Sequence, residues 1–297
     1  MGASPTQQMQ CMEVWGGSQL TARGVVIGGL DAWVYSKPYG QAQHGGDVYY
    51  ASSCVTGRIS RLLLADVSGH GTSVADIATN LRNLMRRFVN RRDQAEFVTL
   101  LNQQFAALST QGTFATAVVS TFYAPTRRLK LCNAGHPRPV LYRAAQKQWS
   151  LLGEESTSRP AGLLNLPLGI LSITQYEHFD VELEPGDYMM AYTDALIESS
   201  DADGASLNED GVLRILNSLG DVKPEELIEA LLGEIAKRYP QNLSADDVTV
   251  LMVRANGNPR TPTLGIKLRA AALMTLAALR SLNPRRKAAL RPVEPGL

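Results

Sequence analysis

The chain has 297 residues, of which 44% are apolar and 19% charged, which suits a folded domain with a sizeable core and excludes a disordered polyelectrolyte. Its formal net charge of +1 is unevenly spread. Residues after 259 hold eight basic side chains and one acidic one, so residues 1–259 carry −6, and an acidic body excludes a general nucleic-acid binder. The three cysteines, Cys11, Cys54 and Cys132, are widely spaced and form no CxxC pair, so neither a zinc ribbon nor a disulfide framework is expected. Met1 to Gln10 is polar and lacks the basic start and apolar core of a signal peptide. No run of eighteen apolar residues occurs, so the expectation is a cytoplasmic protein without a transmembrane segment.

Residues 1 to about 20 read as loose, with a domain boundary at 23/24. The apolar run Leu62–Ala65, closed by Asp66 and the turn Ser68-Gly69-His70-Gly71, predicts a buried strand entering a tight loop. A helix is expected over Val74 to Arg92, because Val74, Ile77, Leu81, Leu84, Met85 and Phe88 share one face. It starts directly after the Asp66 loop, so it is either a regulatory lever or a plain packing helix. A second helix covers Ala95 to Leu108. Three strand-like runs follow at Ala115–Tyr123, Leu129–Asn133 and Val140–Tyr142, and predict an antiparallel meander. Further strands are expected at Tyr188–Thr193 and Val248–Val253, with a helix over Lys223–Arg238 between them. Gly257 to Pro262 reads as a linker. Beyond it, Leu264, Leu268, Leu276, Leu279 and Leu282 lie on one face of a basic amphipathic helix. That helix has three candidate partners: the acidic body of the same chain, a second copy, or an anionic membrane.

Carboxylates stand at the strand ends. Asp47 follows Gly45-Gly46, Asp66 closes one strand, Asp194 closes another, and Asp246-Asp247 open the last. One such residue is unremarkable as a turn former or cap. Several converging would be costly, since two carboxylates about 4 Å apart repel by roughly 4 kcal/mol at an effective dielectric of about 20. Protons or cations would have to neutralise them, and an all-oxygen donor set suits Mg²⁺ or Mn²⁺ rather than zinc. His70 and His136 sit in glycine-rich loops; a loop hydrogen bond is the plainer role for each, and a part for His70 at the leaving group is the sharper one. No Gly-x-Ser-x-Gly, Gly-x4-Gly-Lys-Ser/Thr or His-Glu-x2-His occurs, which removes elbow-type serine hydrolases, P-loop enzymes and zincins.

In order, Gly45-Gly46-Asp47, Asp66-Val67-Ser68-Gly69-His70-Gly71, Asn133-Ala134-Gly135-His136-Pro137, Pro167-Leu168-Gly169, Tyr192-Thr193-Asp194-Ala195 and Asp246-Asp247-Val248-Thr249 resemble the SpoIIE/RsbU-type branch of the metal-dependent (PPM) protein phosphatases. The resemblance implies an α+β fold, a four-layer αββα sandwich of two mainly antiparallel sheets, spanning residues 24–256. It also implies a serine/threonine phosphoprotein phosphatase with two Mn²⁺ or Mg²⁺ ions. Asp47 and Asp66 would bind or bridge the metals, the Val67 carbonyl would join them, and Asp194 and Asp246 would complete the set, with Asp247 one register away as the alternative. Two cations about 3.5–4 Å apart can lower the pKa of a water held between them for in-line attack on phosphorus. Implied partners are a phosphorylated protein, such as a small anti-sigma-factor antagonist in a bacterial partner-switching pathway, and a second copy or the body itself for the C-terminal helix. The other class is a non-catalytic phosphoprotein-binding module on the same fold. The family usually has glycine where Ala195 stands, so a left-handed backbone there would be strained.

Overall fold

A computed structural model describes residues 7–8, 14–40, 42–54, 57–68, 72–89, 91, 93–108, 112–153 and 164–258. The basic C-terminal helix and His70 lie outside the described residues. One sheet has seven strands in the order β1 (Gln7–Gln8), β3 (Thr21–Ile27), β4 (Leu30–Lys37), β13 (Val248–Ala255), β12 (Tyr188–Tyr192), β9 (Val140–Arg143) and β10 (Gln148–Leu151). The other has six: β11 (Phe179–Glu182), β8 (Arg128–Ala134), β7 (Ala115–Tyr123), β6 (Ile59–Val67), β5 (Val48–Ser53) and β2 (Val14–Gly17). All described pairings are antiparallel except β1 with β3.

The sheets face each other across a core that includes Leu30, Ala32 and Val34 of β4, Leu62 and Leu64 of β6, Leu129 and Leu131 of β8, and Leu251 and Val253 of β13. Helices α1 (Thr72–Phe88) and α2 (Gln94–Leu108) cover the outer face of the six-stranded sheet, where Leu81, Met85, Phe97 and Phe105 meet Leu63, Ala65 and Val119. Helices α3 (Asn208–Ser218) and α4 (Pro224–Arg238) cover the other sheet, packing Ile215, Leu231 and Ile235 on Tyr192, Val250 and Met252. The architecture is the expected αββα sandwich. Because β6 and β13 are covered on both faces, they read as continuous apolar runs, whereas β4 alternates buried and half-buried residues. Each fully buried leucine in these runs contributes roughly 1.5–3 kcal/mol. Pro224, with its fixed φ and no N–H, suits the start of α4, and Glu225 and Glu226 in the first turn and Lys237 and Arg238 in the last match the helix dipole. Among the described residues no helix is long and apolar enough to cross a membrane.

Two readings change. The run Val140–Tyr142 does not continue a meander. After β8 the chain turns at Gly135 (φ 67°), passes Pro137 and Pro139, and crosses to the other sheet, where β9 pairs with β12 and β10. The edge of β8 away from β7 pairs instead with β11, and Pro137 and Pro139 in the connection cannot donate to a ladder. Residues 14–20, read as loose from the sequence, are also more ordered than expected. β2 pairs with β5, β3 begins at Thr21, and Arg82 of α1 donates to the Gly16 carbonyl at 3.2 Å.

Arg61 ties helices to sheet from inside the protein. It is 3% exposed, and burial pulls its guanidinium down to about 10, still charged at neutral pH. Nε donates to the Val89 carbonyl after α1 (2.9 Å) and Nη1 to Thr121 Oγ1 on β7 (2.7 Å). The guanidinium lies 4.4 Å from the Phe97 ring centroid on α2.

Candidate metal centre

Register brings the acidic motifs to one end of the sandwich. Val48 pairs with Ala65, so Asp47, just before β5, lies beside Asp66, near the end of β6. On the opposite sheet Tyr192 pairs with Val250, so Thr193-Asp194 leaves β12 where Asp246-Asp247 enters β13. Asp66 also pairs with Thr116 at the start of β7.

Asp47 is 2% exposed. Thr193 Oγ1 donates to its Oδ2 at 3.0 Å, and the Thr193 hydroxyl in turn accepts the Thr249 backbone N–H at 3.0 Å. Burial first, then the Asp66 charge, push the Asp47 carboxyl well above the usual carboxylate range, against the opposing hydrogen bonds of Thr249 and Thr193. Asp66 is pushed up to about 7 by burial and then by Asp194, Asp246, Asp247 and Glu198. Asp194 rises to about 6 through burial, Glu198 and Asp246. No lysine or arginine is among these leading influences. Among the described residues, however, no three His, Cys, Asp or Glu side chains are gathered closely enough to hold an ion by themselves.

Sequence left Asp246 and Asp247 as alternatives, and their surroundings differ. Asp246 is exposed, and one of its oxygens accepts the Asp247 backbone N–H at 2.7 Å. The Asp247 carboxylate turns to the backbone: Oδ1 accepts from Tyr39 N (2.6 Å), and Oδ2 from Gly46 N (2.5 Å) and, more weakly, Asp47 N (3.4 Å). Gly46 lies against the Val67 carbonyl, where an added Cβ would come within 2.9 Å of the oxygen. That carbonyl is thus on the Asp47 side of the site.

The remaining motifs are structural. Asn133 clasps the His136 backbone, its Oδ1 accepting His136 N and its Nδ2 donating to His136 O, both at 2.8 Å. A Cβ at Gly135 would collide with Pro167, so the Asn133–Pro137 and Pro167–Gly169 motifs pack on each other. His136 Nδ1 is 2.8 Å from Thr116 Oγ1, and burial lowers the imidazole to about 3, so it stays neutral and cannot serve as an acid at physiological pH. The Ser68 hydroxyl accepts Phe114 N at 3.0 Å, and burial pushes the Cys132 thiol up to about 12, which disfavours its thiolate. Ala195 sits in a 3₁₀ turn, Asp194–Leu196, and is not among the residues with left-handed φ, so it carries no strain. Three contributors were missed in the sequence: Thr193 and Thr249, whose hydroxyls serve Asp47, and Glu198, which bears on Asp66 and Asp194. The two threonines stood inside quoted motifs as neighbours of the acids; Glu198 carried no pattern at all.

The family model for Stage II sporulation protein E (SpoIIE) matches residues 57–256. No curated protein matches the chain. Among solved structures, the RsbU and RsbW domains of Rv1364c from Mycobacterium tuberculosis align with a TM-score of 0.62 and 23% identity over 82% of this chain. That alignment spans 64% of the Mycobacterium protein, less than two thirds of its length. The PP2C phosphatase domain of SpoIIE from Bacillus subtilis, with a fragment of its regulatory domain, aligns with a TM-score of 0.64 and 16% identity over 82% of this chain and 70% of that one. RsbX in complex with magnesium aligns with a TM-score of 0.57 and 15% identity over 79% of this chain and 99% of that one. At these identities the structures establish the PP2C fold, and the family model, which covers two thirds of the sequence, establishes that this chain belongs to the SpoIIE family.

Proposed function

We propose that the chain is a metal-dependent serine/threonine phosphoprotein phosphatase whose acidic end takes two Mn²⁺ or Mg²⁺ ions. The observation that carries this reading is Asp47: a carboxylate 2% exposed, held by hydroxyls, facing Asp66, with no basic side chain among the groups that act on it most. A divalent cation would supply the missing charge, and the all-oxygen donors fit Mn²⁺ or Mg²⁺. RsbX, a structure of the same fold, holds magnesium. Asp47, Asp66, the Val67 carbonyl, Asp194 and Asp246 are the proposed ligands. Asp47 lies ahead of the segment that the family model matches, so its place in the set rests on its position beside Asp66. When bound, the cations would supply a water of lowered pKa and offset charge on the phosphoryl oxygens.

The chain's own residues do the rest. Thr193 and Thr249 fix the Asp47 carboxylate, and the sandwich shields it from water. His136 holds its loop as a neutral ring and Ser68 accepts the Phe114 amide; with a cation-activated water as the nucleophile, no covalent phosphoenzyme would be needed. The proposed substrate is a phosphorylated signalling protein, in keeping with the RsbU and SpoIIE structures that share the fold, and a small anti-sigma-factor antagonist is the form it takes in partner switching.

Phosphate release from a phosphoserine peptide tests the reading. It should vanish after EDTA treatment and return with Mn²⁺ or Mg²⁺. Release that is indifferent to EDTA, or absent with either cation, would sink it.

A further inference from the structure

We propose that Asp247 is a positioning residue, which clips together the two ends of the β4–β5 connection and so fixes the direction in which Asp47 is offered to the cation site. The clip itself stands on hydrogen bonds alone; its effect on cation binding rests on the ligand role proposed for Asp47.

β4 ends at Lys37 and β5 begins at Val48. Tyr39 lies just inside the first end of the connection and Gly46-Asp47 form the second. Asp247 reaches both ends: one oxygen takes the Tyr39 amide at 2.6 Å, and the other takes the Gly46 amide at 2.5 Å with the Asp47 amide at 3.4 Å behind it. Both oxygens of the carboxylate are therefore occupied by main-chain donors, and charge-assisted bonds of this length are the strong kind. Space confirms the fit. A Cβ built on Gly45 would run into the Asp247 carboxyl group, so only glycine lets the chain come this close. The Gly45 amide is itself held by the Ser18 carbonyl at 2.8 Å, which leaves the loop little room to step aside. Gly46 is buried as well, and its amide has no route to water if the carboxylate is lost. The hydrogen bonds of the Asp247 side chain thus reach the Asp47 segment through its backbone, and Asp246 next to it remains exposed.

The test uses the full chain and two variants, Asp247→Asn and Gly45→Ala. The first turns one acceptor oxygen into a donor; the second pushes the carboxylate away from the loop side. Amide hydrogen exchange is followed in EDTA, and Mn²⁺ binding is measured by calorimetry with the metal alone. In both variants the amides of Tyr39 and Gly46 should exchange at least about tenfold faster while those of β6 and β13 keep their protection, and the Mn²⁺ dissociation constant should rise about 10–100-fold, as it does when an outer partner of a ligand is removed. Unchanged exchange at both amides would overturn the clip. So would amide protection kept in Asp247→Asn together with abolished Mn²⁺ binding, because that pattern marks a direct ligand. Faster exchange with Mn²⁺ affinity within twofold of wild type would overturn the positioning of Asp47. Were wild type itself to bind no Mn²⁺, the metal reading would fail, and the exchange measurement would still decide the clip.

Discussion

Asp66→Asn is expected to cut phosphoserine-peptide turnover by at least about a hundredfold, with the fold intact. Asp66 lies at the centre of the acidic end: its carboxyl is pushed up by burial and then by Asp194, Asp246, Asp247 and Glu198. Replacing it with the isosteric amide removes charge that a cation needs and that the core does not. Asp194→Asn should behave alike, since Asp194 faces Glu198 and Asp246 in the same way. The check is kcat at saturating Mn²⁺, with circular dichroism for the fold. Turnover within a few-fold of wild type in both variants would remove these residues from the ligand set.

The metal-free protein should lose stability as pH rises from 5 to 7.5. Asp66 holds its proton up to about pH 7 and Asp194 up to about pH 6 in the folded chain, whereas both release it near 3.8 once unfolded. The folded state therefore binds more protons than the unfolded state in this window. Their stabilisation is complete below about pH 4 and is lost as pH passes through 6 and 7. Asp66 is only partly buried by exposed area, so its share is about 2 kcal/mol after allowance for solvent screening, or about 4–8 °C in Tm for a domain of this size. Thermal melts in EDTA should show the stability advantage of Asp66→Asn over wild type growing from pH 5 to pH 7.5. A wild type that gains stability relative to the variant over this range would contradict the electrostatic account.

Much of this could be read from residues that obey one dominant force. Leu62–Ala65 and Val248–Val253 are apolar because both faces are covered, and α1 and α2 show a single apolar face because only one is. Less could be read where tertiary structure decides. Nothing local says that β9 carries its hairpin with β10 to the other sheet, and the short β11 pairs only with the distant β8. β2 is an edge strand whose order comes from β5 and from Arg82. The site divides similarly. Its acids were visible at strand ends, but their convergence depends on the register of β5 with β6 and of β12 with β13. The difference between Asp246 and Asp247 was invisible, because Asp246 meets only the amide of its neighbour, whereas Asp247 meets those of Tyr39 and Gly46, some two hundred residues away in sequence.

Crystals grown with Mn²⁺, measured at the manganese absorption edge, test the central claim most directly. Two anomalous peaks about 3.5–4 Å apart should appear at the acidic end, with ligands drawn from Asp47, Asp66, the Val67 carbonyl, Asp194 and Asp246. Saturating Mn²⁺ with no peak at that end, or a peak bounded by none of these oxygens, would contradict it.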